Sequence, residues 1–142
     1  MKIKTILLTI LITFVQSVNA EDTYDLGRKL AICSAKFETL SVILNTAEDT
    51  NKGKFFKERA NGWMIGSVVS FMADGIKPKV AWSAAEGEKE TAQTAINIKL
   101  EAAIKDKSNM IKFSDELMID IDMCSFYDEV VDESIKLYRK II

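Results

Sequence analysis

The chain has 142 residues, no histidine, two cysteines, one proline and a formal net charge of −2. The absence of histidine removes the commonest metal ligand, the commonest general base and the usual haem ligand together. The acidic balance argues against nucleic acid as a partner, because phosphate contacts need a basic face.

The N-terminus speaks to compartment. Lys2 and Lys4 precede an apolar run from Ile6 to Val15 that is broken only by Thr9 and Thr13. Val18, Asn19 and Ala20 follow, with small residues at the two positions a signal peptidase reads. This is the three-part plan of a secretory signal peptide over residues 1–20, with cleavage expected after Ala20. The apolar run is about half of what crosses a bilayer, and no later segment reaches that length. The expected location is therefore periplasmic or secreted, with no membrane span after cleavage. No cysteine stands at the cut to carry a lipid. Residues 21–142 are then expected to form a single helical domain large enough for a core. That domain holds all 21 acidic residues, and the loss of Lys2 and Lys4 takes the net charge from −2 to −4.

Apolar periodicity predicts four helices. The first covers residues 23–47, where Leu26, Leu30, Cys33, Phe37, Leu40, Leu44 and Ala47 recur at alternating steps of four and three, a stripe of coiled-coil type. The polar stretch from Glu48 to Gly53 ends it. The second covers residues 54–73, with Phe56, Trp63, Met64, Val68 and Phe71 as its bulky apolar positions. Gly75 stops this helix, with Ile76 placed to touch Phe71 in a Schellman-type turn, and Pro78 suits the first turn of the next.

The third helix covers residues 78–105 on a thinner, alanine-rich stripe: Trp82, Ala85, Ala92, Ala95, Ile96, Leu100 and Ala103. Gly87 interrupts this stripe and is expected to kink or split it. The fourth covers residues 110–140, where Met110, Phe113, Leu117, Ile121, Cys124, Tyr127, Val131, Ile135 and Tyr138 keep helical spacing. Four helices with short connections make the expected fold all-α, an up-down-up-down four-helix bundle.

Cys33 and Cys124 lie on the inward stripes of helices one and four. In an oxidising compartment such a pair predicts one long-range disulfide, and the spacing excludes a redox CxxC motif. The pairing also implies an antiparallel register that sets Leu26 by Val131, Leu30 by Tyr127, Leu40 by Leu117, Leu44 by Phe113 and Ala47 by Met110, with only Phe37, opposite Asp120, out of step. In that register Lys136 is level with Glu21, and Tyr138, Ile141 and Ile142 fold onto the turn holding Ile76, Pro78 and Val80.

Two places are candidate binding sites. Helix four carries Asp115, Glu116, Asp120, Asp122, Asp128 and Glu129, with no lysine or arginine between them. A plain reading is a solvated acidic face. The functional reading is a docking surface, because such a field steers a cationic partner. On helix two, Gly62, Gly66 and Ser70 stand at successive turns. Interior glycines weaken a helix, so close approach of a neighbouring helix or a groove for a ligand should offset them. Together with Trp63 and Trp82 they outline an apolar pocket between helices two and three.

The leading functional expectation is an exported protein-protein interaction module or an inhibitor of a basic partner. The alternative is a carrier of a small apolar ligand. No G-x-S-x-G motif, phosphate-cradling glycine loop, zinc-helix motif or calcium-loop spacing occurs, so neither a metal nor a cofactor is expected. A Ser–Lys or paired-carboxylate enzyme stays open, since such residues can lie far apart in sequence.

Overall fold

The computed structural model describes residues 22–141. The expected signal peptide, its cleavage point, Glu21 and Ile142 lie outside the described residues. Five α-helices make up most of the described chain: α1 (Thr23–Thr46), α2 (Thr50–Ala73), α3 (Pro78–Ala103), α4 (Lys107–Cys124) and α5 (Asp128–Ile141). A single 3-10 turn, Ser125–Tyr127, joins the last two, and there is no strand among the described residues.

The helix ends follow from local chemistry. α1, α2 and α4 each start at an aspartate, and the carboxylates of Asp22, Asp49 and Asp106 accept backbone N–H groups of Tyr24, Lys52 and Ser108. These donors have no partner within the helix, so the caps satisfy them. The Asp49 cap starts α2 at Thr50 rather than at Lys54. α3 starts at Pro78, whose missing N–H is not needed in a first turn. α2 stops as expected: the Ile76 N–H donates to Phe71 O and the Gly75 N–H to Met72 O, with Gly75 at φ +92°. α1 stops by the same pattern, Asp49 N–H to Leu44 O and Glu48 N–H to Asn45 O. Here the left-handed residue is Glu48, at φ +64°.

α1 packs against α2, α3 and α4, while α5 packs against α2. The α1–α2 seam is built from small residues at heptad spacing on both helices. Gly27, Ser34 and Ser41 of α1 meet Ser67, Ala60 and Gly53 of α2. At each level a serine hydroxyl donates to the backbone carbonyl opposite: Ser67 to Gly27 O at 2.7 Å, Ser34 to Ala60 O at 2.8 Å and Ser41 to Gly53 O at 2.6 Å. The buried hydroxyls are thereby satisfied, and the two helices run antiparallel. A β-carbon on Gly27 would stand 2.9 Å from the Phe71 ring, so the approach tolerates nothing larger without a shift.

The main core surrounds this seam. Trp63 lies 5.4 Å from Phe37 between ring centroids, and both pack with Leu30, Leu40, Phe113, Leu117 and Ile121. A smaller cluster joins Met64, Val68 and Phe71 of α2 to Ala81 and Ala85 of α3. α3 runs unbroken through Gly87, which is exposed and has open space where a β-carbon would stand. The expected kink is therefore not found: one solvent-facing glycine costs about 1 kcal/mol of helix propensity, which the packed turns on either side offset.

The Cys33–Cys124 disulfide joins α1 to the end of α4, with Cα atoms 5.9 Å apart. Lys36 pairs with Asp120 at 3.1 Å close by, in the antiparallel sense expected. Beyond Cys124 the expected fourth helix does not continue. The Ser125 hydroxyl donates to Asp122 O at 2.6 Å and the Asp128 N–H to Ser125 O, tightening the chain into the 3-10 turn. α5 then crosses to α2, where Val131 and Ile135 seat over Gly66 and Gly62. The physical reason is that the two halves bury their stripes on different helices. The α4 stripe faces α1 and α3, whereas the glycines of α2 admit α5. At the far end Tyr138 makes an edge contact with Trp82, 6.2 Å between centroids, so the tail reaches the start of α3 while Val80 remains exposed.

Candidate functional site

α4 is apolar on two sides. Its inner face buries Phe113, Leu117, Ile121 and Cys124 against the rest of the core. Its outer face carries Ile111, Met118, Ile119 and Met123, and the line continues onto Phe126 in the 3-10 turn. These side chains are left to solvent, from 44% exposed at Met118 through 55% at Ile111 and 61% at Ile119 and Met123 to 83% at Phe126. Their spacing is that of one helix face. Single exposed apolar residues are ordinary on a protein surface, but a run of five along one line is the kind of patch that marks an interaction site.

The acidic residues divide into two groups around this strip. Asp120 pairs with Lys36, and Asp128 pairs with Arg59 of α2. Arg59 also lies over the Phe37 ring, 5.2 Å from its centroid. These two aspartates tie α4 and α5 to the body. Asp115 and Asp122 instead lie within the outer strip, exposed, with no ion-pair partner among the described residues. Glu116 stands beside the strip, 4.0 Å from Lys112, and Glu129 is exposed at the start of α5. Asp128 and Glu129 also complement the positive end of α5.

The residues expected to outline an apolar pocket are not brought together around one cavity. Gly62 and Gly66 face Ile135 and Val131 of α5. Trp63 is fully buried in the main core, and Ser70 is buried with its hydroxyl donating to Gly66 O at 3.0 Å. Trp82 alone of the group lines a cleft of about 600 Å³, whose other walls come from Glu38, Thr39 and Val42 of α1, Met64 of α2 and the outer turns of α3.

The middle of that cleft is polar and largely self-satisfied. The Glu38 carboxylate lies between the ammonium groups of Lys57 and Lys89. Burial pushes its pKa up, but the hydrogen bonds and charges of the two lysines outweigh burial and hold it below the ordinary carboxylate value. Gln93 donates to Thr39 Oγ1 at 2.8 Å and to Asn97 Oδ1 at 3.2 Å, and its own Oε1 is buried without a hydrogen-bond partner.

The described residues contain no group of acidic or cysteine side chains arranged to hold a metal ion, and no helix long and apolar enough to cross a membrane. The outer strip of α4 escapes a reading of periodicity alone. From Ile119 to Met123 apolar and acidic residues alternate, with Met118 apolar before them, so the apolar residues fall on both sides of a helix. A single-stripe helix accounts for Ile121 and leaves Met118, Ile119 and Met123 over. No family model, curated protein or solved structure matches the chain.

Proposed function

We propose that the chain is an exported binding protein that docks a basic protein partner on the outer face of α4, as an interaction module or an inhibitor. In this reading residues 1–20 direct export, and residues 21–142 fold as an up-down-up-down four-helix bundle whose fourth leg is broken at Ser125–Tyr127. The disulfide agrees with an oxidising compartment. The observation that carries the reading is the strip of Ile111, Met118, Ile119, Met123 and Phe126, left in water and interleaved with unpaired carboxylates. The fold does not need these side chains exposed, and a covering partner would gain their burial.

The test is affinity capture from an envelope extract, comparing the native protein with the I119S/F126S double variant. The expected result is a partner held by the native protein, released by raised salt and absent from the variant. Equal capture by both proteins overturns the reading. The carrier reading rests on the cleft beside Trp82 and is checked by native mass spectrometry of freshly purified protein. A small molecule retained there, and lost in a Trp82→Ala variant, favours the carrier over the docking module.

A further inference from the structure

We infer that the partner meets α4 with a helix that carries cationic side chains one heptad apart and large apolar residues between them. This rests on the docking reading above and adds the recognition chemistry. Asp115 and Asp122 lie two turns apart on α4, and a heptad step returns to nearly the same line of a helix. Ile111, Met118, Ile119 and Phe126 surround them on that line. A partner that covers the apolar residues also strips water from both carboxylates. Lys112, one turn before Asp115 and exposed on the same face, stands 4.0 Å from Glu116 and pairs with neither aspartate, so a covering partner should bring a cation to each position. Arginine fits best, because its planar fork pairs with a carboxylate through two hydrogen bonds.

A second copy of this chain fits poorly in the register that best pairs the apolar residues. In an antiparallel pair of α4 helices, the register that sets Ile111 against Phe126 and Met118 against Ile119 also sets Asp115 against Asp122. Two-fold symmetry repeats that clash at both ends. A parallel symmetric pair sets each aspartate against itself. These two registers disfavour a second copy, and the two unpaired aspartates favour a basic, foreign helix, whose length should match the 18 residues of α4.

The experiment uses a synthetic amidated peptide of that length, helical and amphipathic, with two arginines one heptad apart among leucines on a single face. A control peptide of the same composition moves both arginines to the opposite face. Binding to the full mature protein is followed by calorimetry at low and raised salt. The heptad peptide should bind about tenfold or more tighter than the control, the scale of one desolvated charged pair. The D115N/D122N variant should lose that preference, and a D115R/D122R variant should prefer a peptide with glutamates at the two arginine positions. All four substitutions sit at exposed positions, and an unchanged far-ultraviolet circular dichroism spectrum verifies the fold. Equal binding of the two peptides, no binding of the heptad peptide, or a preference that survives D115N/D122N overturns the inference. So does a sedimentation profile showing a dimer dispersed by I119S/F126S. If D115N/D122N is silent while I119S/F126S still abolishes capture of the natural partner, the docking reading stands and only the heptad rule fails.

Discussion

Along the α1–α2 seam, Gly27, Ser34, Ser41, Gly53, Ala60 and Ser67 are buried, and each serine hydroxyl returns to a carbonyl across the interface. Along the outer face of α4, Ile111, Ile119, Met123 and Phe126 stand more than half exposed. Size is used in opposite directions in these two regions. The seam hides its smallest residues because two backbones approach there, and closeness is gained by having little to bury. The outer face shows large residues that contribute nothing to the core inside the chain. Residues that hold the fold and residues available to a partner are thus separated onto different surfaces, with the inner face of α4 and the disulfide between them.

That separation can be broken from the middle outward. Replacing both Cys33 and Cys124 by serine should have the largest effect. The bridge spans 91 positions, and the loop-entropy model assigns such a closure about 4–5 kcal/mol. Urea unfolding checks this, and the variant should lose stability while α4 detaches most easily. A comparable midpoint would show that the helix contacts alone hold α4. Next in size is the seam: Ser34→Leu should destabilise by about 1–3 kcal/mol through overpacking, and Ser34→Ala by about 1 kcal/mol through one lost hydrogen bond. Partner capture should persist in both, since α4 is untouched.

Glu48→Gly should act in the other direction. A left-handed residue with a β-carbon is strained, and glycine removes that strain at some cost in chain entropy. A gain of about 0.5–1 kcal/mol is expected, read as a raised melting temperature. Glu38 provides a pH test of the α1–α2–α3 junction. Its folded pKa lies below its ordinary value of 4.5. Its contribution is therefore complete above that value and lost as pH falls through the lower folded value. Glu38→Gln should remove a small part of the acid-limb stability loss in a pH series of urea midpoints. The smallest effect belongs to the outer face: I119S/F126S should change stability by no more than about 0.5 kcal/mol, the ordinary range for exposed positions. A larger loss would mean that the strip packs within the chain and is not free for a partner.

Much of the helical plan was legible in the residues themselves. The spacing of Leu26, Leu30, Cys33, Phe37 and Leu40 marks α1, and Gly75 with Ile76 marks the end of α2. In each case local backbone chemistry and one apolar stripe suffice, so neighbouring residues carry the information. The pairing of Cys33 with Cys124 was legible for a similar reason, since both stand on stripes that must turn inward. The small-residue seam was present in the sequence at heptad spacing, but glycine, alanine and serine give almost no hydropathy contrast, and the leucine stripe beside them dominates any periodic reading.

Other features were decided only in three dimensions. Ser125, Phe126 and Tyr127 include no helix-breaking residue type, so the 3-10 turn is not announced by their sequence. The break falls where α4, packed on α1 and α3, gives way to Val131 and Ile135 over the glycines of α2. The division of the acidic residues is of the same kind. Composition shows six carboxylates on one stretch, but whether each is bound or free depends on where Lys36 and Arg59 arrive from other helices. Which segments are helical, and which two cysteines turn inward, follow from short-range geometry and can be read along the chain. Which apolar residues of α4 remain outside emerges from packing alone, because burial depends on what the neighbouring helices leave uncovered.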